Sequence, residues 1–227
     1  MDLQQQVSLA KAYELPFQLN DYQGSIDSIS PIAVKLGSRP FLLSMPHSVV
    51  QKRENTLKEA DDFTAAIGFL IQDKTDCHCI CSKRTSDEDP NYVIGGNYKR
   101  KLRELIEQHS IGFVLDLHGA SSSRLFDIDL GTMHGKTIDP DQVNLIKQAF
   151  FSHGIHDVRE NDTFAAEHPG TITAYVYSEL RIPCVQLEIN SKYRKPYTDA
   201  QSFASLINSI IKITESISLQ LEQQWEK

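Results

Sequence analysis

The sequence predicts an α/β fold in a single domain, with a mixed, mostly parallel sheet flanked by helices. Three observations carry this. Apolar strand-like runs alternate with segments of helical spacing, the order that builds a sheet covered on both faces. No repeat, low-complexity tract or Gly/Ser linker divides the 227 residues, so 1–227 reads as one unit. A hydrophobic content of 40% and a charged content of 23% are ordinary for a globular protein with a substantial core.

Taken in order, SISPIAVKL and PFLLSM read as two strands joined through the turn residues Gly37 and Ser38, as a hairpin. ENTLKEADDFTAAIGFLIQDK reads as an amphipathic helix with Leu57, Ala60, Phe63, Ile67, Leu70 and Ile71 along one side. CHCICS is a strand whose Cys77, Cys79 and Cys81 alternate with period 2 and share one face. Structural zinc sites pair cysteines across a turn and need a second pair, whereas only Cys184 remains elsewhere. The three therefore read as a buried face in a reducing compartment. A polar loop, TSDEDPNYVIGGN, leads to the helix YKRKLRELIEQHS and then to the strand FVLDLHGA. DPDQVNLIKQAFFSHG is a helix opened by an aspartate cap. GTITAYVYSEL reads as a helix facing the core, PCVQLEINSKYR contains a strand, and a C-terminal helix covers 198–224.

Charge and hydropathy narrow the function. The net charge of −7 argues against broad capture of nucleic acid or an anionic membrane. No segment approaches 18 consecutive apolar residues, so no membrane span is expected. MDLQQQVSLAKAYELPF has neither the basic start nor the apolar core of a secretory signal, and a cytoplasmic location follows as the expectation.

In α/β sheets, sites form outside the carboxyl ends of the strands. In FLLSMPHSVV an apolar run stops at Pro46 and His47 follows at once. FVLDLHGA sets Val114, Asp116 and His118 on one face, with Phe113, Leu115 and Leu117 on the other. Polar groups in a core strand are costly unless they are paired or ligate a metal, and Gly119 and Ala120 leave room for a ligand. CVQLEIN likewise puts Gln186, Glu188 and Asn190 on one face. Two histidines and a carboxylate are the ligand set of a catalytic zinc with an open fourth position. The carboxylate can come from EADD at the start of the first long helix. There Asp62 reads as solvated, and Glu59 and Asp61 flank the apolar side as the candidates. The HGASSS run lacks a G-x-S-x-G elbow, which argues against a serine hydrolase.

PHS at 46–48, D-x-x-T-x-x-I from Asp61, DLHGA at 116–120 and QLEIN at 186–190 stand in an order and spacing that resembles the N-formylglutamate amidohydrolase family. DPNY at 89–92, FDIDLGT at 126–132 and GTIT at 170–173 extend the resemblance, which covers roughly residues 30–195. It implies a zinc carboxypeptidase-like (phosphorylase/hydrolase-like) fold and one bound zinc. The implied reaction is hydrolysis of the amide bond of a small N-acylated amino acid, N-formylglutamate-like, or of a peptide-like substrate. It also implies His47 and His118 as metal ligands, Asp61 as the metal carboxylate with Glu59 as the competing alignment, and Glu188 as the general base. Asp116, on the face of His118, is the candidate acceptor for that ring. Members that act on formylglutamate tend to carry arginines at two places held here by Tyr92 and Ala174. Asn91, Arg124 and Arg194 are the candidates for holding substrate, with Arg53 and Arg84 as further replacements for the two arginines. A non-catalytic binding protein on the same fold is the alternative. Such a relative would be expected to lose Glu188 or a ligand first, and all are present.

Overall fold

The structure, a computed structural model, describes residues 2–225. In chain order its elements are α1 (Leu3–Tyr22), β1 (Ile32–Lys35), β2 (Phe41–Met45), β3 (Gln51–Arg53), β4 (Thr56–Lys58), α2 (Thr64–Thr75), β5 (His78–Ser82), α3 (Asn97–His109), β6 (Phe113–Ala120), β7 (Ile128–Gly131), α4 (Pro140–Ser152), β8 (Val158–Glu160), α5 (Ile172–Tyr175), β9 (Cys184–Asn190), α6 (Ser191–Arg194) and α7 (Ala200–Trp225). A π-helical turn, Val176–Leu180, prolongs α5.

Seven strands form one sheet in the order β1-β5-β2-β6-β9-β7-β8, so FVLDLHGA is its middle strand. β5, β2, β6 and β9 run parallel, whereas β1 pairs antiparallel with β5 and β7 antiparallel with β9, and β8 pairs parallel with β7. The expected mixed, mostly parallel sheet is present. Parallel neighbours share faces in register, and β6 and β9 align Asp116 with Gln186 and His118 with Glu188. Ser44 of β2 aligns with Asp116. One face of three adjacent strands therefore becomes polar toward its carboxyl end.

The opposite face holds Phe113, Leu115, Leu117, Val185 and Leu187, packed in one large cluster with α1, α2, α4 and α7. On the polar face, Leu42, Val114 and Cys184 form a smaller cluster with Leu102, Ile106 and Ile172 from α3 and α5. The sheet is thus covered on both sides, and Cys77, Cys79, Cys81 and Cys184 are free and buried. Among the described residues no helix is long and apolar enough to cross a membrane.

Two sequence expectations are corrected here. SISPIAVKL and PFLLSM do not form a hairpin, because β5 lies between β1 and β2. All five residues of β2 are buried, which requires a neighbour on each side, whereas β1 is only half-buried and suits the edge. The connection packs against the start of β5, where the amides of Ser38 and Arg39 donate to the Asp76 carbonyl. A Cβ at Gly37 would strike the Asp76 and Cys77 carbonyls. The long helix from Glu54 also divides. Residues 51–58 are the β3–β4 hairpin, Leu57 is 68% exposed, and α2 begins only at Thr64. EADD is therefore a loop and not a helix's first turn. The remaining helix is buried nearly all round, from Thr64 to Thr75, with Gly68 admitting the Met45 side chain. Three further elements carried no clear signal: α1 and the short strands β7 and β8.

α1 buries Gln6, Ala10, Glu14 and Phe17 against α2 and α7. Glu14 caps α2: its Oε1 accepts from the Phe63 amide at 2.7 Å and the Tyr22 hydroxyl at 3.1 Å, and its Oε2 is buried without a partner. Burial pushes this carboxyl up to about 7, against the hydrogen bonds from Phe63 and Tyr22. The unfolded chain ionises the group near its ordinary value of 4.5, so the folded state holds the extra proton between these values. Stability therefore falls as pH rises through that window. Glu14→Gln is expected to stabilise the protein at pH 8, on the order of 2 kcal/mol, and to change little at pH 4.5. Urea unfolding at the two pH values checks this.

Candidate metal centre and active site

β2 ends at Met45, and the Ser48 hydroxyl donates to the Met45 carbonyl at 2.9 Å to close the turn through Pro46. The turn brings His47 over the sheet. The loop that replaces the expected helix start is fastened there, with the Asp61 amide donating to the His47 carbonyl at 2.8 Å. His118 rises from the end of β6. The three residues converge: one ligand atom from each of His47, Asp61 and His118 lies within 4.8 Å of the other two, and all three residues are buried.

Both imidazoles present Nδ1 to the centre. Asp61 Oδ2 stands 3.3 Å from His47 Nδ1 and 3.2 Å from His118 Nδ1. Each Nε2 is held from behind by a buried carboxylate, His47 by Asp89 at 2.7 Å and His118 by Asp116 at 2.9 Å. A carboxylate acceptor draws the ring proton to Nε2 and leaves the Nδ1 lone pair facing inward. These acceptors are themselves fixed. Asp116 takes the Ser44 hydroxyl at 2.8 Å. Asp89 takes the Asn91 amide at 2.9 Å and a two-pronged Arg53, with Nε at 2.8 Å and Nη2 at 2.7 Å.

The electrostatics follow from burial and pairing. Burial raises the Asp61 carboxyl, but Lys58, 2.8 Å away, and the two histidines outweigh it and hold it well below the usual range. Burial likewise opposes ionisation of Asp89, and His47 and Arg53 overcome it. In His118, burial lowers the imidazole pKa, yet Asp116 and Asp61 outweigh it and raise it well above the usual value. Glu188, opposite His118 in register and bonded to Gln186 Nε2 at 3.0 Å, is pushed up to about 7 chiefly by burial.

These residues fit a divalent metal. His47 Nδ1 is buried with no hydrogen-bond partner, a costly state that a coordinated cation would relieve. Two imidazole nitrogens and one carboxylate oxygen, with outer carboxylates behind the rings, form a donor set suited to zinc. Glu59 is exposed and contributes only its backbone carbonyl, to Lys58 Nζ, so Asp61 is the carboxylate that the fold brings to the histidines.

The centre opens into a cavity of about 550 Å³. Glu188, Gln186, Asn91 and Arg124 line it. Its far wall is the 163–168 segment, with Tyr92 stacked on His168 at 4.9 Å between ring centroids. Asn91 Oδ1 accepts the Ile172 amide at 2.7 Å, which leaves its amino group directed to the Gln186 side at 3.5 Å. Arg124 lies 5.1 Å from the Phe164 ring and has no ion-pair partner among the described residues. Lys99, buried, clamps the surrounding loops by donating to the carbonyls of Pro90, Val93 and Gly170 at 2.6, 2.7 and 2.6 Å.

Arg194 does not line this cavity: it is buried and bonds the Ile189 carbonyl at 3.1 Å, the Ala120 carbonyl at 3.2 Å, and Asp62. It ties the ends of β6 and β9 to the loop that carries Asp61. Asp62 is correspondingly an ion-pair partner and not a freely solvated acid. Arg84 bonds the Ser28, Ile29 and Thr85 carbonyls and also lies elsewhere. Reading the sequence alone missed Asp89, Lys58 and Lys99. Asp89 stands in a polar loop, where alternation and periodicity are silent, Lys58 ends the three-residue strand β4, which is too short to show alternation, and Lys99 sits within the helix α3.

The model of the N-formylglutamate amidohydrolase family matches residues 96–193. That stretch includes His118, Arg124 and Glu188, and the resemblance drawn from the motifs holds across it. Among solved structures, the fold is similar to the N-formylglutamate amidohydrolase from Ralstonia eutropha JMP134, with a TM-score of 0.66 at 15% identity over 86% of this chain and 100% of that one. A gene product of Agrobacterium tumefaciens gives a TM-score of 0.61 at 12% identity, over 85% and 94%. A bacteriophage poly-gamma-glutamate hydrolase gives 0.52 at 16% identity, over 86% and 93%. No curated protein sequence matches the chain.

Asp89→Asn should weaken divalent-metal binding by roughly 10–100-fold, because it weakens the acceptor behind His47 and uncouples the charge of Arg53. Competition against a chromophoric chelator measures the change.

Proposed function

We propose that the chain is a zinc-dependent amidohydrolase that cleaves the amide bond of a small N-acylated amino acid or peptide-like substrate. The observation that carries this reading is the convergence of two Nδ1 atoms and Asp61 Oδ2 at the end of the sheet, with Glu188 in register beside His118. The family match and the shared fold support it.

His47, His118 and Asp61 would hold the metal, and Asp89 and Asp116 would keep both rings in the tautomer that donates from Nδ1. Bound zinc supplies a Lewis acid that polarises the substrate carbonyl and lowers the pKa of water toward about 7. Glu188 is the proton carrier. With its carboxyl near 7, it can accept a proton from the attacking water and return it to the departing amine nitrogen at neutral pH. The acyl carbon gains the hydroxyl and the amine gains the proton, which balances the hydrolysis.

Recognition falls to the cavity wall. Arg53 is already held by Asp89 and Lys58 by Asp61, whereas Arg124 is unpaired and available to a substrate carboxylate. The Asn91 amino group, beside Gln186, is the complementary donor to a substrate carbonyl.

Two results test this. Glu188→Gln should retain stoichiometric zinc and lose at least about 10²-fold in kcat on an N-acyl amino acid that the native protein cleaves. Unchanged turnover would remove Glu188 from the reaction. Arg124→Gln should raise KM for substrates with a free carboxylate about tenfold or more and leave KM for their carboxamides nearly unchanged, since only the former gain a charge-assisted pair. Steady-state kinetics on matched acid and amide pairs reads the difference.

A further inference from the structure

A second cavity, of about 540 Å³, lies across a shared wall from the first. The wall consists of Lys58, Asp61 and the β6 end, Gly119–Ser121, all of which border both spaces. Its crest is fixed: the Arg194 guanidinium occupies the space a side chain at Gly119 would take, Ala120 offers only a methyl, and Arg194 holds the Ala120 carbonyl at 3.2 Å. Beyond the wall the lining is polar: Arg194, Ser122, Ser191, Glu59 and Lys195. Lys195 is 42% exposed at its side chain and stands a loose 3.7 Å from Asp62.

We infer that this cavity is the subsite for the acyl half of the substrate, and that the preferred acyl group is peptide-like rather than formyl. The inference rests on the hydrolase reading above. Asp61 is both a metal ligand and part of the wall, so the reacting carbonyl belongs beside the crest. The amine half, with its carboxylate, lies toward Arg124 in the first cavity. The acyl half is then left to cross toward the second. A formyl group has two heavy atoms and needs about the volume of one or two waters, roughly 30 Å³ each. The second cavity is many times larger and falls within the size range of a ligand pocket. Its serine hydroxyls and mixed charges suit the carbonyls and N–H groups of an aminoacyl or short peptidyl chain, and offer little to an alkyl tail.

The test compares N-formylglutamate with N-(acetylglycylseryl)glutamate, which share one amine half and differ in the acyl group. Calorimetry on the zinc-loaded Glu188→Gln variant reads affinity, and kcat/KM on the native enzyme reads turnover. The extended compound is expected to bind at least tenfold more tightly and to be cleaved with at least tenfold higher kcat/KM. Ser122→Trp, which places an indole in the second cavity, should abolish that advantage and leave N-formylglutamate binding and cleavage unchanged, whereas Ser122→Ala should preserve it. Equal affinity for the two compounds, or an advantage that survives Ser122→Trp, would overturn the subsite. Cleavage of N-formylglutamate without any length preference would remove the subsite and leave the hydrolase standing. Failure to take up zinc or cleave either compound would remove both.

Discussion

The site depends on burying four carboxylates and two imidazoles together at the end of one sheet. Asp61, Asp89, Asp116, Glu188, His47 and His118 are each at most 6% exposed. Isolated charges in that position would be prohibitive, and every one of these groups has a partner that reduces the cost. Asp89 has Arg53, Asp61 has Lys58, Asp116 has Ser44, and each imidazole is backed by a carboxylate. Arg53, Lys58 and Lys99 stand against the four acids, and further positive charge comes from a protonated His118 or from a divalent ion that would take its place between the two Nδ1 atoms.

The scaffold explains why such a cluster can be held still. Parallel register between β6 and β9 is enough to set His118 beside Glu188, because a slip of one residue would turn one of the two to the apolar face. The loop residues have no such ladder and are fastened individually. The Asp61 amide is bound to His47, Arg194 reaches from α6 to the β6 and β9 ends, and Lys99 gathers the 90–93 and 170 segments. Gly170 completes that clamp, since a Cβ there would collide with the Tyr92 carbonyl. The outer supports come from α3 and α6, on different parts of the chain, so local sequence says little about them.

Legibility followed the same division. β6 and β9 read with their full lengths because period-2 alternation of apolar and polar residues leaves one interpretation, and the same alternation exposed Asp116, His118 and Glu188. His47 was visible as a polar residue where a core run ends. α2 was overextended because Leu57 and Ala60 happen to fall at helical spacing, although a tight β3–β4 turn intervenes. The supposed hairpin of β1 and β2 depended on sheet order, which is set by β5 arriving from residues 78–82. α1 was silent because its inward face includes Gln6 and Glu14. Proximity to a strand end could not say which way the Arg194 guanidinium turns, toward the backbone ends of β6 and β9 and Asp62. Asp61 could be separated from Glu59 only once the loop's path over His47 was known.

His47, Asp61 and His118 are proposed to hold one metal ion. Elemental analysis of protein purified without a histidine tag or added metal, with native mass spectrometry of the same sample, tests this. One zinc per chain is expected, absent from folded His47→Ala and His118→Ala. A native protein that carries no metal and takes up none tightly on titration, or either variant retaining one zinc per chain, would contradict it.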